Sequence, residues 1–186
     1  MGHHTFDIDG ADKLEEAERR YRYVSSEELL WALAPTSGDT IADLGSGTGF
    51  FTDDIAPHAD TMYAVDVQGA MHDYYEEKGM PENVEPVTTG IEALPFEDDS
   101  IDAAFSTMTY HEFASDDALA EIHRVLAPDG RLTIVDWSAA GTGENGPPLD
   151  ERYTVETAVE NLRDHGFAVD HAFTRPETYL VVATAE

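Results

Sequence analysis

The sequence predicts an α/β protein built on a doubly wound, mainly parallel sheet with one antiparallel element at its edge. Three observations predict it. Apolar runs of strand length alternate along the chain with longer segments of helical periodicity. A glycine cluster, Gly45 to Gly49, separates the first strand-like run from the helix that follows. The last two strand-like runs are joined only by Thr174-Arg175-Pro176-Glu177, which permits a hairpin and leaves no room for a helical crossover.

Each element has its own justification. Residues 11–34 read as helical, with Leu14, Ala17, Tyr21, Leu29, Leu30 and Leu33 spaced for one face. A break near Ser25-Ser26-Glu27-Glu28 starts the second part with a capping serine and early acids. Pro35 to Asp39 is a turn, Thr40–Leu44 a short buried strand, and Phe50 to Ala56 the helix opened by the glycine loop. Thr61–Asp66 is the second strand, Gly69–Lys78 a helix, and Val84–Thr88 and Ile101–Thr107 the third and fourth strands. Asp116–Leu126 is helical, with Leu119, Ile122, His123 and Leu126 on one stripe, so His123 reads as structural. Pro128-Asp129-Gly130 turns the chain into a fifth strand, Arg131–Trp137. Residues 138–150 are rich in Gly and Pro and irregular. A helix over Val155–Asp164 ends at Gly166, suited to a left-handed position after the helix. Strands Phe167–Phe173 and Thr178–Thr184 close the chain. There is no internal repeat and no linker, so one domain is expected over 1–186, with 1–34 as a helical cap and 35–186 as core.

Composition excludes whole classes of function. The chain carries 39 Asp+Glu against 10 Lys+Arg, a formal net charge of −29. A protein that neutralises phosphates needs a basic face, so nucleic acid is not an expected partner, nor is an anionic membrane surface. No apolar run reaches membrane-span length and no signal peptide is apparent, so a soluble, cytoplasmic protein is expected, as monomer or homodimer. Zero cysteines exclude disulfides, thiolate nucleophiles and Cys-ligated metals. With 41% hydrophobic residues and the acids interspersed among them, the chain is foldable and not a disordered polyanion. A uniformly acidic surface with only Lys13 and Lys78 as lysines points to a halophilic protein, adapted to molar salt, where self-repulsion is screened.

The strongest local feature is Asp43-Leu44-Gly45-Ser46-Gly47-Thr48-Gly49, a buried strand running into glycines and then a helix. Glycines there permit positive φ and close approach of a ligand, and the helix start adds N–H donors. The dinucleotide fingerprint needs a glycine at its sixth position, where this chain has Phe50. An acid two residues before the first glycine suits an amine-bearing or cationic ligand and repels a pyrophosphate. Asp66, at the carboxyl end of the second strand, can accept hydrogen bonds from both hydroxyls of a ribose.

Asp43 to Thr52 closely resembles the first motif of class I S-adenosylmethionine (SAM)-dependent methyltransferases. Ala64-Val65-Asp66 is similar to the second motif. Ile91 to Phe96, Asp99 to Asp102 and Arg124 to Leu132 follow in the family's order. The resemblance covers almost the whole chain and is strongest to the small type-11 group that includes ubiquinone/menaquinone-biosynthesis methyltransferases. It implies a Rossmann-like class I methyltransferase fold, a seven-stranded sheet ordered 3-2-1-4-5-7-6 with one antiparallel strand. It also implies SAM as cofactor and S-adenosylhomocysteine (SAH) as product. Asp43, with Gly45, Ser46 and Gly47, would face the methionine moiety, and Asp66 would hold the ribose. Val67, Gln68 and Gly90 would border the adenine, Ile91 would offer it a backbone N–H, and Thr107 would line the methionine side. Many relatives carry Asp where this chain has Gly90, so that acceptor for the adenine amino group is missing.

Methyl transfer is a displacement at a sulfonium carbon and needs alignment more than a nucleophile. A base is required only when the acceptor loses a proton. Tyr110, His111 and Glu112 follow the fourth strand; His111 is the best base by type, and Tyr110 the second catalytic candidate. His4, Tyr110, His111 and Trp137 are expected to wall the pocket of a small-molecule acceptor. His111, Glu112 and Asp136 are metal-ligand types, but in so acidic a chain such a trio is cheap and no metal is expected. Two rivals stand beside the methyltransferase reading: a non-catalytic SAM- or nucleoside-binding protein on the same fold, and a nucleotide-cofactor oxidoreductase.

Overall fold

A computed structural model describes residues 8–186. Its seven strands, β1 (Thr40–Leu44), β2 (Thr61–Asp66), β3 (Val84–Thr88), β4 (Ile101–Thr107), β5 (Leu126–Trp137), β6 (Phe167–Thr174) and β7 (Thr178–Ala185), form one sheet in the order β3-β2-β1-β4-β5-β7-β6. β1 to β5 run parallel, while β7 is antiparallel to both β5 and β6. That is the predicted sheet. The three-residue connection after β6, Arg175-Pro176-Glu177, forces the hairpin, and β7 then enters the gap beside β5.

Helices cover both faces. α2 (Ser26–Leu33), α3 (Phe50–Ile55) and α4 (Gly69–Lys78) bury Leu29, Leu33, Phe51, Ile55 and Tyr75 against Ile41, Met62 and Phe105. α6 (Asp116–Val125) and α7 (Val155–Asp164) bury Leu119, Ile122 and Leu162 against Ala42, Ala104 and Val181 on the other face. Alternate residues of one strand thus serve opposite layers, which is why the central strands read as continuous apolar runs. Ser25, Ser115 and Thr154 cap α2, α6 and α7 by accepting from the N–H three residues on, satisfying otherwise orphaned donors.

Three local features depart from the prediction. The N-terminal segment is not one helix: Ile8–Glu15 is a 3-10 helix, followed by the five-residue α1 (Ala17–Tyr21). The fifth strand starts at Leu126, not Arg131; Leu126 pairs with Ile101, and the register shifts before Arg131 meets Ala103. Pro128-Asp129-Gly130 is therefore a bulge within the strand, with Asp129 at φ 64°. A short helix, α5 (Tyr110–Phe113), follows β4 directly. The strand order reverses between β1 and β4, which opens a crevice at the carboxyl ends of the parallel strands.

Candidate active site

That crevice holds a cavity of about 850 Å³, lined from the carboxyl ends of β1, β2, β4 and β5 and roofed by residues 13–23. Its floor is the glycine loop. Gly45, Gly47 and Gly49 have φ of 83°, 53° and 78°, and the Gly45 and Ser46 amides both donate to the Val65 carbonyl, at 2.8 and 2.9 Å. Two of the three glycines are demanded by neighbouring elements and not by ligand approach. A Cβ at Gly45 would overlap the Thr109 side chain, and one at Gly49 the Tyr75 ring. Only Gly47 faces the roof, where a Cβ would meet the Leu14 side chain at 3.4 Å.

Gly45, Ser46 and Gly47 line the cavity at this end, as do Asp66, Val67 and Gln68 at the end of β2. Asp66 ties the two together: one carboxylate oxygen accepts from the Gly47 amide and the other from the Gln68 amide, each at 2.8 Å. Gly90 and Ile91 form the far wall, and Thr107 the middle. Asp43 lies just behind the lining. Its Oδ2 accepts from the Thr52 hydroxyl at 2.6 Å, while Oδ1 is buried without a hydrogen-bond partner. Burial pushes its pKa up to about 7 against the pull of Thr52 and Arg20.

Two residues here went unnoticed in the sequence. Arg20 descends from the roof to the same end, its guanidinium 4.8 Å from the Phe51 ring centre and its Nε buried without a hydrogen-bond partner. Burial lowers its pKa to about 10, opposed by Asp43 and Glu15. Glu92 lines the cavity beside Gly90, and its carboxylate fills the space a side chain at Gly90 would take. Neither stands out in sequence, because an arginine on a short amphipathic segment and one glutamate among many acids are unremarkable until folded.

The other end of the cavity is built by α5 and the end of β5. His111 lines the cavity, and Asp136, fully buried, grips it twice: its carboxylate accepts from the His111 amide at 2.7 Å and lies 3.0 Å from the ring Nδ1. Burial lowers the His111 pKa, but the hydrogen bond and charge of Asp136 outweigh it and the net shift is upward. Glu112 also lines the cavity, and burial raises its pKa to about 7. Trp137 forms a wall with Tyr23, their rings 4.7 Å apart and edge to face. Met108, at the turn out of β4, holds φ 60°, a left-handed strain that a non-glycine residue keeps only where its surroundings dictate it.

Tyr110 corrects an expectation. It lies outside the cavity, fully buried in the apolar layer against Phe113 and Tyr153, with burial raising its pKa to about 12. The single turn of α5 sends Tyr110 inward and His111 toward the cavity, so both cannot serve the pocket. His4 lies outside the described residues. His111, Glu112 and Asp136 are brought together as a hydrogen-bonded pair with a neighbouring acid.

Residues 42–134 match the family described as methyltransferase domain. An uncharacterised methyltransferase-like protein of Schizosaccharomyces pombe is 36% identical over 135 residues, 72% of this chain and 51% of its own length. The ubiquinone/menaquinone biosynthesis C-methyltransferase UbiE of Brucella canis is 34% identical over 137 residues, 67% of this chain and 48% of its own. The chain thus spans about half the length of the curated relatives it matches. A SAM-dependent methyltransferase from Aquifex aeolicus superposes with a TM-score of 0.88 at 28% identity, over 98% of this chain and all of that one. Motif order, sheet order and these likenesses agree: the chain belongs to the class I SAM-dependent methyltransferases of the type-11 group.

Proposed function

We propose that this chain is a methyltransferase that carries a methyl group from SAM to a small-molecule acceptor, with the cofactor over β1 and β2 and the acceptor between His111 and Trp137. The observation that carries the reading is one continuous cavity with Arg20 at one end, the unpartnered Asp43 carboxyl oxygen just behind that end, and an oriented histidine at the other. The residues fit the cofactor. Asp43 Oδ1 and the Arg20 guanidinium offer a buried anion and a buried cation, as the ammonium and carboxylate of an amino acid require. Ser46 adds a buried hydroxyl without a partner. Asp66 keeps lone pairs for the ribose hydroxyls beyond its two amide bonds. Ile91 contributes its backbone, and Glu92 stands in for the acid missing at Gly90. Thr107 lines the methionine side, and the described part of the N-terminal cap, residues 8–34, covers the core formed by 35–186. When bound, SAM supplies an electrophilic methyl on a sulfonium. His111 is the base, and a cavity of this size suits a small acceptor rather than a polymer.

Calorimetric titration with SAM, SAH and NAD tests the reading. SAM and SAH should bind and NAD should not; binding of NAD without SAM ends it. Release of SAH in the presence of a metabolite panel separates an enzyme from a binding protein. Asp66→Ala should weaken SAM by about 10-fold or more, since it removes the ribose acceptor and the anchor of the Gly47 amide; unchanged affinity would refute the ribose assignment. We also propose that the acidic surface is an adaptation to molar salt.

A further inference from the structure

We infer that Asp136 is a positioning residue that fixes His111 as the proton acceptor, and that the methyl acceptor is therefore a compound that gives up a proton, an O–H, N–H or acidic C–H nucleophile. The inference rests on the methyltransferase reading above. Asp136 has 0% exposure, and a carboxylate in that setting is costly unless its oxygens are satisfied. It receives the His111 amide at 2.7 Å, the Trp137 amide at 2.8 Å and the His111 ring at 3.0 and 3.1 Å. An ionised carboxylate only accepts, so the imidazole must carry its proton on Nδ1. Nε2 is then the free base. It makes no hydrogen bond among the described residues, and its nearest acid, Glu112 Oε1, stands 3.9 Å away. That is too far for a hydrogen bond and near enough to stabilise an imidazolium once formed.

A histidine that merely capped α5 or filled a gap would need neither a buried acid from another strand nor an unoccupied nitrogen on the cavity. Thioethers and tertiary amines accept a methyl group without losing a proton, so an oriented base would be idle with them. With an O–H, N–H or acidic C–H acceptor the step balances. The acceptor's lone pair, or the electron pair of its C–H bond, forms the new bond to the methyl carbon, the carbon–sulfur pair leaves with sulfur as the neutral thioether, and the acceptor's proton passes to His111 Nε2. The charged groups that face His111 are Asp136 from β5, Glu112 from α5 and Glu151 from the loop before α7, with Asp66 from β2 acting on Glu112.

The decisive measurement is an NMR titration of the His111 ring in the full chain, which needs no acceptor. The wild-type ring should be Nδ1-protonated when neutral and titrate above its ordinary value. Asp136→Asn should pull the titration down by about one unit or more, and Glu112→Gln should lower it by less, covering the case in which Asp136→Asn fails to fold. A neutral ring protonated on Nε2, or a titration unmoved in both variants, overturns the inference. SAM titration of the same variants keeps the two readings apart: affinity should be unchanged, whereas loss of SAM binding in the wild type would end the methyltransferase reading and leave the His111–Asp136 result standing. With any acceptor that supports SAH release, Asp136→Asn should cut kcat about 100-fold at unchanged KM for SAM and shift the rising pH limb to lower pH. A tertiary amine or thioether turned over as fast by His111→Ala as by wild type would overturn the assignment of acceptor class.

Discussion

At the scale of single residues, buried charge marks the site. Asp43, Asp66 and Asp136 are the buried carboxylates among the described residues, and each stands at or within two residues of the carboxyl end of a parallel strand. Asp43 gives a pH prediction. Its folded-state pKa, about 7, lies above the ordinary 3.8, so the folded state holds more protons between those values. Its contribution to stability is complete below the ordinary value and is lost as pH rises through 7; Glu112, raised from 4.5 to about 7, behaves alike. An ammonium beside Asp43 favours the ionised form. SAM binding just below pH 7 should therefore release a proton, and Asp43→Asn should abolish that release, read from binding enthalpies in two buffers of different ionisation heat. Asp43, Asp66 and His111 were legible in sequence because strand ends and a glycine loop give their positions meaning. Arg20 and the partnership of Asp136 with His111 were not, because those contacts join residues 25 or more positions apart, and Glu92 was lost among the many acids of the chain.

At the scale of elements, two side chains hold the segment after β5: Glu177 accepts from the Thr142 amide and hydroxyl near its start, and Arg152 gathers its far part. Arg152 is buried; its Nε and Nη2 donate to the Pro147 carbonyl at 2.8 and 2.7 Å, Nη2 also donates to the Asn145 carbonyl, and the guanidinium lies 5.4 Å from the Trp137 ring centre. Only the planar fork of arginine can serve several carbonyls and a ring at once. Arg152→Ala should cost about 2 kcal/mol, lowering Tm by roughly 4–8 °C, and should raise the acceptor KM more than the SAM Kd. A melt unchanged within error would show that the loop is held without Arg152. The roof over the glycine loop is latched similarly, with Glu15 accepting from the Thr48 hydroxyl at 2.5 Å and pairing with Lys78 at 3.1 Å. Those contacts pin the junction between the 3-10 helix Ile8–Glu15 and the short α1, where apolar spacing alone predicts one longer helix. Tertiary anchoring shapes the segment more than intrinsic propensity does.

At the scale of the molecule, the charge of −29 divides into two populations. A few carboxylates are buried around the cavity, and most of the rest lie on the surface with few cations to meet them. Unfolding followed against KCl should show stability rising from dilute buffer to molar salt, where the Debye length is about 3 Å and surface repulsion is screened. Equal stability in both would refute the proposed salt adaptation.

The sequence by itself determined the class of sheet, the antiparallel return, most strand limits and the glycine loop. These follow from local periodicity, glycine conformations and the length of one connection, all carried by neighbouring residues. Only the tertiary structure decided that Tyr110 faces the core, that Gly45 and Gly49 make room for Thr109 and Tyr75, and that Asp136 orients His111. Each of those depends on which side of a short turn a residue faces, or on two distant strand ends meeting. Hydrophobic pattern cannot encode such outcomes, because a rotation of one residue exchanges core for cavity without changing the composition of the segment.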